Sequence, residues 1–281
     1  MGKKWILLII ALVIVFTSNA QDKAINVVVI GAHPDDCDFK AGGTAIKFAQ
    51  MGHRVLFVSL CNGDAGHYKY GRKKLANIRE AEAQEAGRRF GVKYVVLDHH
   101  DCELLPDLKL RHEVIKLIRE WNADIVISPR PNDYMADHRS TATVVQDAAY
   151  LVIVPHCVPS VPALNKNPLF LYCEDTFKKP LPFSPDIVVD ISDVFEKKIY
   201  AMSAHESQFF DWLPWTNWPP LKDGELVMVP KGEKERDAWF LKKMSNWLGK
   251  KEKYYEAFEI CEYGRQPSEE EIKQLFPMTG K

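Results

Sequence analysis

Short apolar runs alternate with longer amphipathic stretches along the chain from residue 25 onward. The first run, at 25–32, is typical of a strand buried on both faces. Similar runs rich in β-branched residues follow at 55–60, 94–97 and 125–127. Buried strands that alternate with helical patterns are typical of stacked βαβ units. The pattern therefore predicts an α/β fold with a mostly parallel sheet and helices on both of its faces.

The stretches between these runs show the spacing and the end signals of helices. Apolar residues recur three and four positions apart over 114–121, which predicts one amphipathic helix. Gly42-Gly43-Thr44 is expected to open the first helix, with Thr44 as its N-cap. A later helix, beginning near Val194, is expected to carry residues 205–208 on its last turns.

The C-terminal part of the chain, residues 209–281, is rich in Trp and Pro and includes a charged stretch near 242–258 that we predict to be helical. A chain of 281 residues fits one large domain. We therefore expect residues 209–281 to be an extension packed on the sheet, within a single domain that spans 21–281.

The first twenty residues have the pattern of a secretory signal peptide. Lys3 and Lys4 precede an apolar run over 5–16, and Ser18-Asn19-Ala20 resembles a small-residue cleavage site. The run is short for a membrane span, which needs about 20 residues. We expect cleavage after residue 20 and a secreted or periplasmic protein without a stable membrane span. An uncleaved N-terminal anchor is the alternative.

Composition narrows the range of partners. The chain carries 37 basic and 38 acidic residues, for a formal net charge of −1, and no basic stretch stands out. A nucleic-acid partner therefore has no electrostatic support. The six cysteines are widely spaced and form no C-x-x-C pair, so a thiolate zinc site is not expected.

The main candidate for chemistry is His33-Pro34-Asp35-Asp36, directly after the first strand. His138 follows the fourth strand, and ligands of parallel sheets bind beyond the carboxyl ends of the strands. Two imidazoles and one carboxylate leave coordination positions open, as a hydrolytic zinc site requires. We therefore predict that His33, Asp36 and His138 bind zinc, with Fe²⁺ or Mn²⁺ as alternatives, and that Asp35 transfers protons. If these residues only cap the strand and the following turn, there is no such site.

Longer matches extend this motif. The segment 32–44 reads A-H-P-D-D-C-D-F-K-A-G-G-T and resembles the PIG-L (LmbE-like) family of zinc-dependent N-acetylglucosaminyl deacetylases. Further family motifs are matched by Gly63-Asp64-Ala65-Gly66, Arg79-Glu80-Ala81-Glu82, Asp101 and His205-Glu206-Ser207-Gln208. The resemblance covers residues 25 to about 208 and implies a Rossmann-like fold.

The resemblance also implies an activity. It suggests a secreted hydrolase of a linear amide bond, which removes acetyl from an N-acetylated amino sugar or glycoconjugate. Zinc-bound water is the implied nucleophile, and Asp35 is the implied general base. Monosaccharides, chitooligosaccharides, host glycans and small thiol conjugates all fit as substrates.

Two further positions are implied to hold substrate, namely Arg79 and Asp101. For Arg79 the alternative is an exposed helical ion pair with Glu82 or Glu85, which is a common arrangement. For Asp101 the alternative is a turn cap.

One departure from the family pattern bears on catalysis. The family usually reads H-P-D-H where this chain reads Met135-Ala136-Asp137-His138. The missing imidazole polarises the acetyl carbonyl in the family, and a thioether cannot donate a hydrogen bond. Loss of one such donor typically costs about 10²–10³ in rate. Either zinc does more of this work here, or another donor substitutes, and His205 is our first candidate for that catalytic residue, with His67 as second choice.

One aspartate and three tryptophans each have two possible roles. Asp137 is expected to cap the following helix, with orientation of a ligand imidazole as the alternative. Trp212, Trp215 and Trp218 could stack on sugar rings near the pocket, or pack in the core.

Two competing functions remain. The substitution at Met135 favours a catalytically weak or inactive carbohydrate-binding protein, although binding alone needs no base at Asp35. Two histidines and a carboxylate also suit a non-haem Fe(II) oxygenase. The proton-transferring Asp35 beside the ligands favours hydrolysis.

Overall fold

The computed structural model describes residues 24–216, 229–247 and 252–279, so the predicted signal peptide and Trp218 lie outside the described residues. In chain order, the strands and helices are β1 (Asn26–Gly31), α1 (Asp36–Gln50), β2 (Arg54–Cys61), α2 (Arg72–Phe90), β3 (Lys93–His99), α3 (Leu108–Trp121), β4 (Ile125–Ser128), α4 (Ala136–Leu151), β5 (Leu169–Cys173), β6 (Ile187–Asp190), α5 (Phe195–Met202), a π-helix (Ser207–Trp212), α6 (Leu213–Trp215), α7 (Glu233–Trp247), β7 (Tyr255–Ile260) and α8 (Glu269–Leu275). None of the helices in these ranges is long and apolar enough to cross a membrane.

The strands form one seven-stranded sheet in the order β3-β2-β1-β4-β5-β7-β6. The first five strands are parallel, and β7 runs antiparallel to both β5 and β6. Val28 of β1 lies opposite Leu56 of β2 and Val126 of β4, which places β1 in the middle of the parallel part. The predicted α/β fold with a mostly parallel, Rossmann-like sheet is confirmed.

Successive residues of β1 point to opposite faces of the sheet, and each face has its own apolar core. Val27 and Val29 join the core that is covered by α1, α2 and α5. Val28 and Ile30 join the core beneath α3 and α4. Because both faces are covered, the crevice open to ligands lies beyond the carboxyl ends of the strands.

The first helix begins at Asp36, earlier than the predicted start at Gly42-Gly43-Thr44. The two glycines lie within the helix, where side chains would collide with its neighbours. A Cβ on Gly43 would lie 2.7 Å from Ile191, and one on Gly42 would lie 2.7 Å from Phe90. The glycines thus permit close packing rather than a helix start, and the early start places Asp36 in the first turn.

The C-terminal extension does more than pack on the sheet. The predicted helix near 242–258 is wrong in its second half, because α7 ends at Trp247 and β7 begins at Tyr255. Strand β7 lies between β5 and β6, with Phe258 fully buried. Its Glu256 accepts hydrogen bonds from the amides of Gly43 and Thr44 at 2.8 and 2.7 Å. The extension is therefore part of the sheet and is tied to α1.

The predicted helix from Val194 is also shorter than expected. Helix α5 ends at Met202, and His205 lies in the turn between α5 and the π-helix. The motif at 205–208 therefore spans a break in the helical path, which allows its side chains to turn back toward α1 and α2.

Candidate metal centre

The three predicted ligands come together at the carboxyl ends of β1 and β4. His33 Nδ1 lies 3.2 Å from His138 Nε2 and 3.7 Å from Asp36 Oδ2. His138 Nε2 lies 3.4 Å from Asp36 Oδ1. Because β1 and β4 are neighbours in the sheet, 105 residues of sequence separation do not keep the two imidazoles apart. The three side chains form a group that could hold a metal ion.

Carboxylates bind the outer nitrogen of each imidazole. His33 Nε2 lies 3.0 Å from Asp101 Oδ1 and 3.1 Å from Asp137 Oδ2. His138 Nδ1 lies 3.0 Å from Asp133 Oδ1. If each outer nitrogen donates to its carboxylate, each inner nitrogen presents a lone pair to the other ligands. Two lone pairs 3.2 Å apart repel unless positive charge lies between them, so the donor set fits a divalent cation.

The charges around the ligands favour the same conclusion. Burial alone would lower the pKa of His138, but the charge of Asp36 and the hydrogen bond to Asp133 raise it to about 10. Burial would likewise lower the pKa of His33, but hydrogen bonds to its carboxylate partners raise it well above the usual value. Burial would raise the pKa of Asp36, yet the charge of His138 holds it well below the usual range. The group attracts positive charge, as protons or as a cation.

Asp35 adjoins the ligands on a strained backbone. Its φ of 144° falls in a region that residues other than glycine rarely adopt, and such strain clusters at active sites. Its amide donates to the Tyr94 hydroxyl at 3.2 Å, and that hydroxyl donates to Asp38 Oδ2 at 2.9 Å. Burial raises the pKa of Asp35 to about 6, against the opposing charge of Arg79. A carboxyl with this pKa can both accept and return a proton near neutral pH.

Arg79 lies beneath the Gly63–Gly66 loop and is buried, with 2% of its surface exposed. A Cβ on Gly63, whose φ is +72°, would lie 3.0 Å from Arg79 Nε. The alternative of an exposed ion pair is wrong, because Glu82 binds Ser207 instead. Arg79 Nε and Nη1 have no hydrogen-bond partner among the described residues. Substrate binding by Arg79, which the resemblance implies, stays a prediction.

Asp101 and His205 lie outside the group of three predicted metal ligands. Burial would raise the pKa of Asp101, but the hydrogen bond from His33 lowers it to about 2. This carboxylate therefore orients His33, one of the predicted metal ligands. His205 is fully buried with Nε2 2.9 Å from Asp38 Oδ1, and it contacts none of the predicted ligands in the described part of the chain. The structure therefore places His205 behind Asp35, and its catalytic role stays a prediction.

His67, the second choice for the missing donor, also lies off the ligand group. Its Nδ1 accepts from the amide of Lys69 at 3.0 Å, and its ring stacks on Tyr68 and Tyr70. Its placement links it to the surface beside the Gly63–Gly66 loop.

The sequence did not single out Asp133, although an acidic residue in the loop before His138 is a usable signal. For Asp137 the structure favours the alternative role, orientation of a ligand imidazole, over capping of α4, because its carboxylate accepts hydrogen bonds from His33 and from the amides of Cys102 and Leu104. No local pattern could reveal the two amide partners, because they lie in another loop.

Comparison with known proteins identifies relatives of this chain. The family model for PIG-L, described as GlcNAc-PI de-N-acetylase, matches residues 28–149. Diacetylchitobiose deacetylase of Thermococcus kodakarensis is 31% identical over 204 residues, which cover 69% of this chain and 73% of that protein. The structure of N,N'-diacetylchitobiose deacetylase from Pyrococcus horikoshii, complexed with its inhibitor MPG, matches with a TM-score of 0.67 and 27% identity, covering 88% of this chain and 87% of that one.

A relative with different chemistry also matches. The 4-oxalmesaconate hydratase of Pseudomonas putida is 24% identical over 196 residues, which cover 67% of this chain and 76% of that protein. The shared architecture therefore supports more than one reaction, and the activity must be argued from the site. The motifs, the fold and these matches together establish the relationship: this chain belongs to the PIG-L family.

Proposed function

We propose that the protein is a metal-dependent deacetylase that hydrolyses the acetamide of an N-acetylated amino sugar or glycoconjugate. The observation that carries this proposal is the group of His33, Asp36 and His138 with Asp35 beside it. A site for binding alone does not need a strained, buried carboxyl with a raised pKa next to three potential ligands. The similarity to a diacetylchitobiose deacetylase supports the choice of substrate class.

The proposed metal is zinc. His33 and His138 would supply two imidazole nitrogens and Asp36 one carboxylate oxygen, a donor set that also suits Fe²⁺ or Mn²⁺. When bound there, zinc would lower the pKa of a coordinated water and polarise the acetyl carbonyl. Asp101, Asp133 and Asp137 hold the two imidazoles in the orientation that this role needs.

The protein's own groups perform the proton transfers. Asp35 accepts a proton from the attacking water as the C–O bond forms, and it returns that proton to the amine nitrogen as the C–N bond breaks. The products are acetate and the free amino sugar. The free N–H groups of Arg79 bind an oxygen of the substrate and hold it against the ligand group.

At Met135 the chain lacks the imidazole donor usual in the family, so the bound metal or another residue would have to stabilise the oxyanion. His205 is the first candidate for that residue, but its full burial and its hydrogen bond to Asp38 favour an indirect role. Through Asp38 and Tyr94 it supports the backbone of Asp35 rather than reaching the substrate.

The decisive experiment measures acetate release and metal content together. The purified protein is expected to hold about one zinc per chain and to release acetate from N-acetylglucosamine derivatives. Asp35→Asn should lose at least about 10²-fold in rate and keep its metal, because a general base contributes about 10²–10⁴. Full activity in Asp35→Asn would overturn the mechanism.

The hydratase relative defines the competing activity. If the chain were a hydratase, it would hydrate an unsaturated carboxylic acid and release no acetate from any N-acetylated sugar. Measuring acetate release and hydration of the unsaturated acid with one preparation distinguishes the two functions.

We also propose that the chain is exported. The support is Lys3 and Lys4 followed by the apolar run over 5–16. N-terminal sequencing of the protein from the extracellular or periplasmic fraction tests this: a chain that begins after residue 20 supports export with cleavage, one there that still begins at Met1 favours the uncleaved anchor, and absence of the protein from both fractions would contradict export.

A further inference from the structure

An exposed stack of aromatic rings lies beside the candidate site. We call it the aromatic ladder and define it, in order of contact, as Tyr70, His67, Tyr68, Trp215 and Trp212. Successive ring centroids are 4.6, 4.9, 5.2 and 5.2 Å apart, and successive planes differ by 29° or less. The rings come from two segments that are about 140 residues apart in sequence, so tertiary structure alone brings them together.

The middle of the ladder is open to solvent. Tyr68 is 53% exposed and Trp215 is 58% exposed, although each has ring neighbours on two sides. Core packing therefore does not explain these two residues. Large aromatic side chains that stay exposed next to one another mark binding surfaces.

The ladder adjoins the substrate side of the metal centre through Gly66. A Cβ on Gly66 would lie 3.6 Å from Trp212 Nε1, 3.5 Å from Arg79 Nη2 and 3.6 Å from Asp101 Oδ2. One glycine thus separates the last ring of the ladder from the guanidinium proposed to bind substrate. The ladder and the metal centre therefore share one wall.

Glu82 fixes the ladder relative to that wall. It accepts hydrogen bonds from the amide and the hydroxyl of Ser207, both at 2.7 Å, at the start of the π-helix that carries Trp212. Glu82 lies three residues after Arg79 on α2, so both side chains leave the same face of one helix. A short π-helix of this kind is frequent at functional sites.

The charges around the ladder are mixed. Lys69 and Lys74 lie over the Tyr70 ring at 5.7 and 4.6 Å, and Asp211 lies 3.6 Å from His67. Arg72 is paired with Asp64. Lys69 and Lys74 would attract a polyanion, but the exposed ring surface of Tyr68 and Trp215 is itself uncharged. A neutral ligand with an apolar face fits better, and a pyranose ring presents such a face through its axial C–H groups.

We propose that the aromatic ladder is a second sugar subsite, which binds a further ring of an oligosaccharide whose acetylated unit lies at the metal centre. This inference rests on the proposed function and narrows its substrate class to chains of two or more sugars. Tyr68 and Trp215 supply the exposed ring surface, since centroids 5.2 Å apart leave their stacked rings offset and not fully overlapped. Trp212 connects that surface to Arg79.

The test measures binding as well as turnover. Affinity for N-acetylchitotriose and for N-acetylglucosamine is measured by calorimetry with zinc-loaded Asp35→Asn, which should keep its metal without hydrolysing the sugars, and the ring variants are made in this background. The trimer is expected to bind at least tenfold more tightly than the monosaccharide. Trp215→Ala and Tyr68→Ala are each expected to weaken trimer binding about tenfold, and Trp215→Phe should recover much of the loss because it keeps a ring.

The matched control is Tyr150→Ala on α4, which removes an equally exposed tyrosine outside the ladder. It should leave trimer affinity as in the parent. Equal affinity for trimer and monosaccharide, or an unchanged trimer affinity in Trp215→Ala, overturns the subsite. A change of oligomeric state in Trp215→Ala with trimer affinity unchanged would make the ladder a contact between copies and would also overturn it.

Failure of the subsite can be told from failure of the proposed function. If acetate is released but Trp215→Ala keeps the parent's ratio of kcat/KM on trimer to kcat/KM on monosaccharide, only the subsite is wrong. If no acetate is released from any sugar, the deacetylase proposal is wrong, and the binding measurements decide the ladder independently.

Discussion

The two imidazoles of the metal centre and the guanidinium of Arg79 belong to the same candidate site, yet their N–H groups are used differently. Each imidazole is held by at least one carboxylate, so its remaining nitrogen is oriented before any ligand arrives. Arg79 is more deeply buried than either imidazole, but two of its nitrogens have no hydrogen-bond partner among the described residues. Unpaired buried donors are costly and persist where a ligand completes them. The imidazoles are therefore oriented for a cation, and we expect Arg79 to bind substrate.

The largest expected effect comes from comparing a variant that loses zinc with a variant that loses only substrate binding. His138→Ala removes a ligand and should lower zinc content to background, and activity is lost with it. Arg79→Met should keep about one zinc per chain while kcat/KM falls about 10²-fold, since hydrogen bonds of charged groups contribute about 1.5–3 kcal/mol each. Zinc is measured by metal analysis and kcat/KM by acetate release. Loss of zinc in Arg79→Met would show that Arg79 supports metal binding, which contradicts a role in substrate binding alone.

The carboxylate behind a ligand should matter less than the ligand itself. Asp133→Asn is expected to weaken zinc binding about 10–100-fold, because Asp133 orients His138 from outside the metal site. The control is Asp147→Asn, whose carboxylate pairs with Arg111 on α3. Competition with a chelator gives both affinities. Equal affinities in the two variants would mean that Asp133 does not orient the ligand.

The hydrogen bonds of Tyr94 that hold the backbone of Asp35 should have a smaller effect on the rate. Tyr94→Phe removes the hydroxyl that accepts from the Asp35 amide and donates to Asp38, so kcat should fall about tenfold with zinc content and KM maintained. Tyr172→Phe is the control, since its buried hydroxyl bonds Gln146 and Cys261 away from the ligands. Each variant should lose about 1 kcal/mol of unfolding free energy. If both variants keep the parent's kcat, Tyr94 serves stability alone.

The smallest expected change is a gain. Met135→His restores the imidazole usual in the family, and acetate release should rise severalfold. A fully positioned donor supplies about 10²–10³ in rate, but an introduced side chain that is not held in place by its neighbours recovers only part of that. The control is Met135→Leu, which changes shape without adding a donor. No gain over Met135→Leu would show that another group already stabilises the oxyanion or that chemistry does not limit turnover.

Much of the fold follows from local pattern because strands buried on both faces need continuous apolar runs. The runs at 25–32, 55–60 and 125–127 correspond to β1, β2 and β4. The pattern failed where tertiary contacts override local signals. Gly42 and Gly43 suggest a helix start, but they lie inside α1 where Phe90 and Ile191 leave no room for a Cβ.

The sequence by itself determined the chemistry at the end of β1 and the fold that presents it. His33, Asp35 and Asp36 are adjacent, and parallel strands deliver such residues to one edge. Only the tertiary structure decided which carboxylate serves which imidazole, that His205 lies behind Asp35, and that rings from two distant segments form one ladder. The physical reason is that hydrogen bonds and stacking depend on distances of 3 to 5 Å between groups that the chain separates by up to about 170 residues.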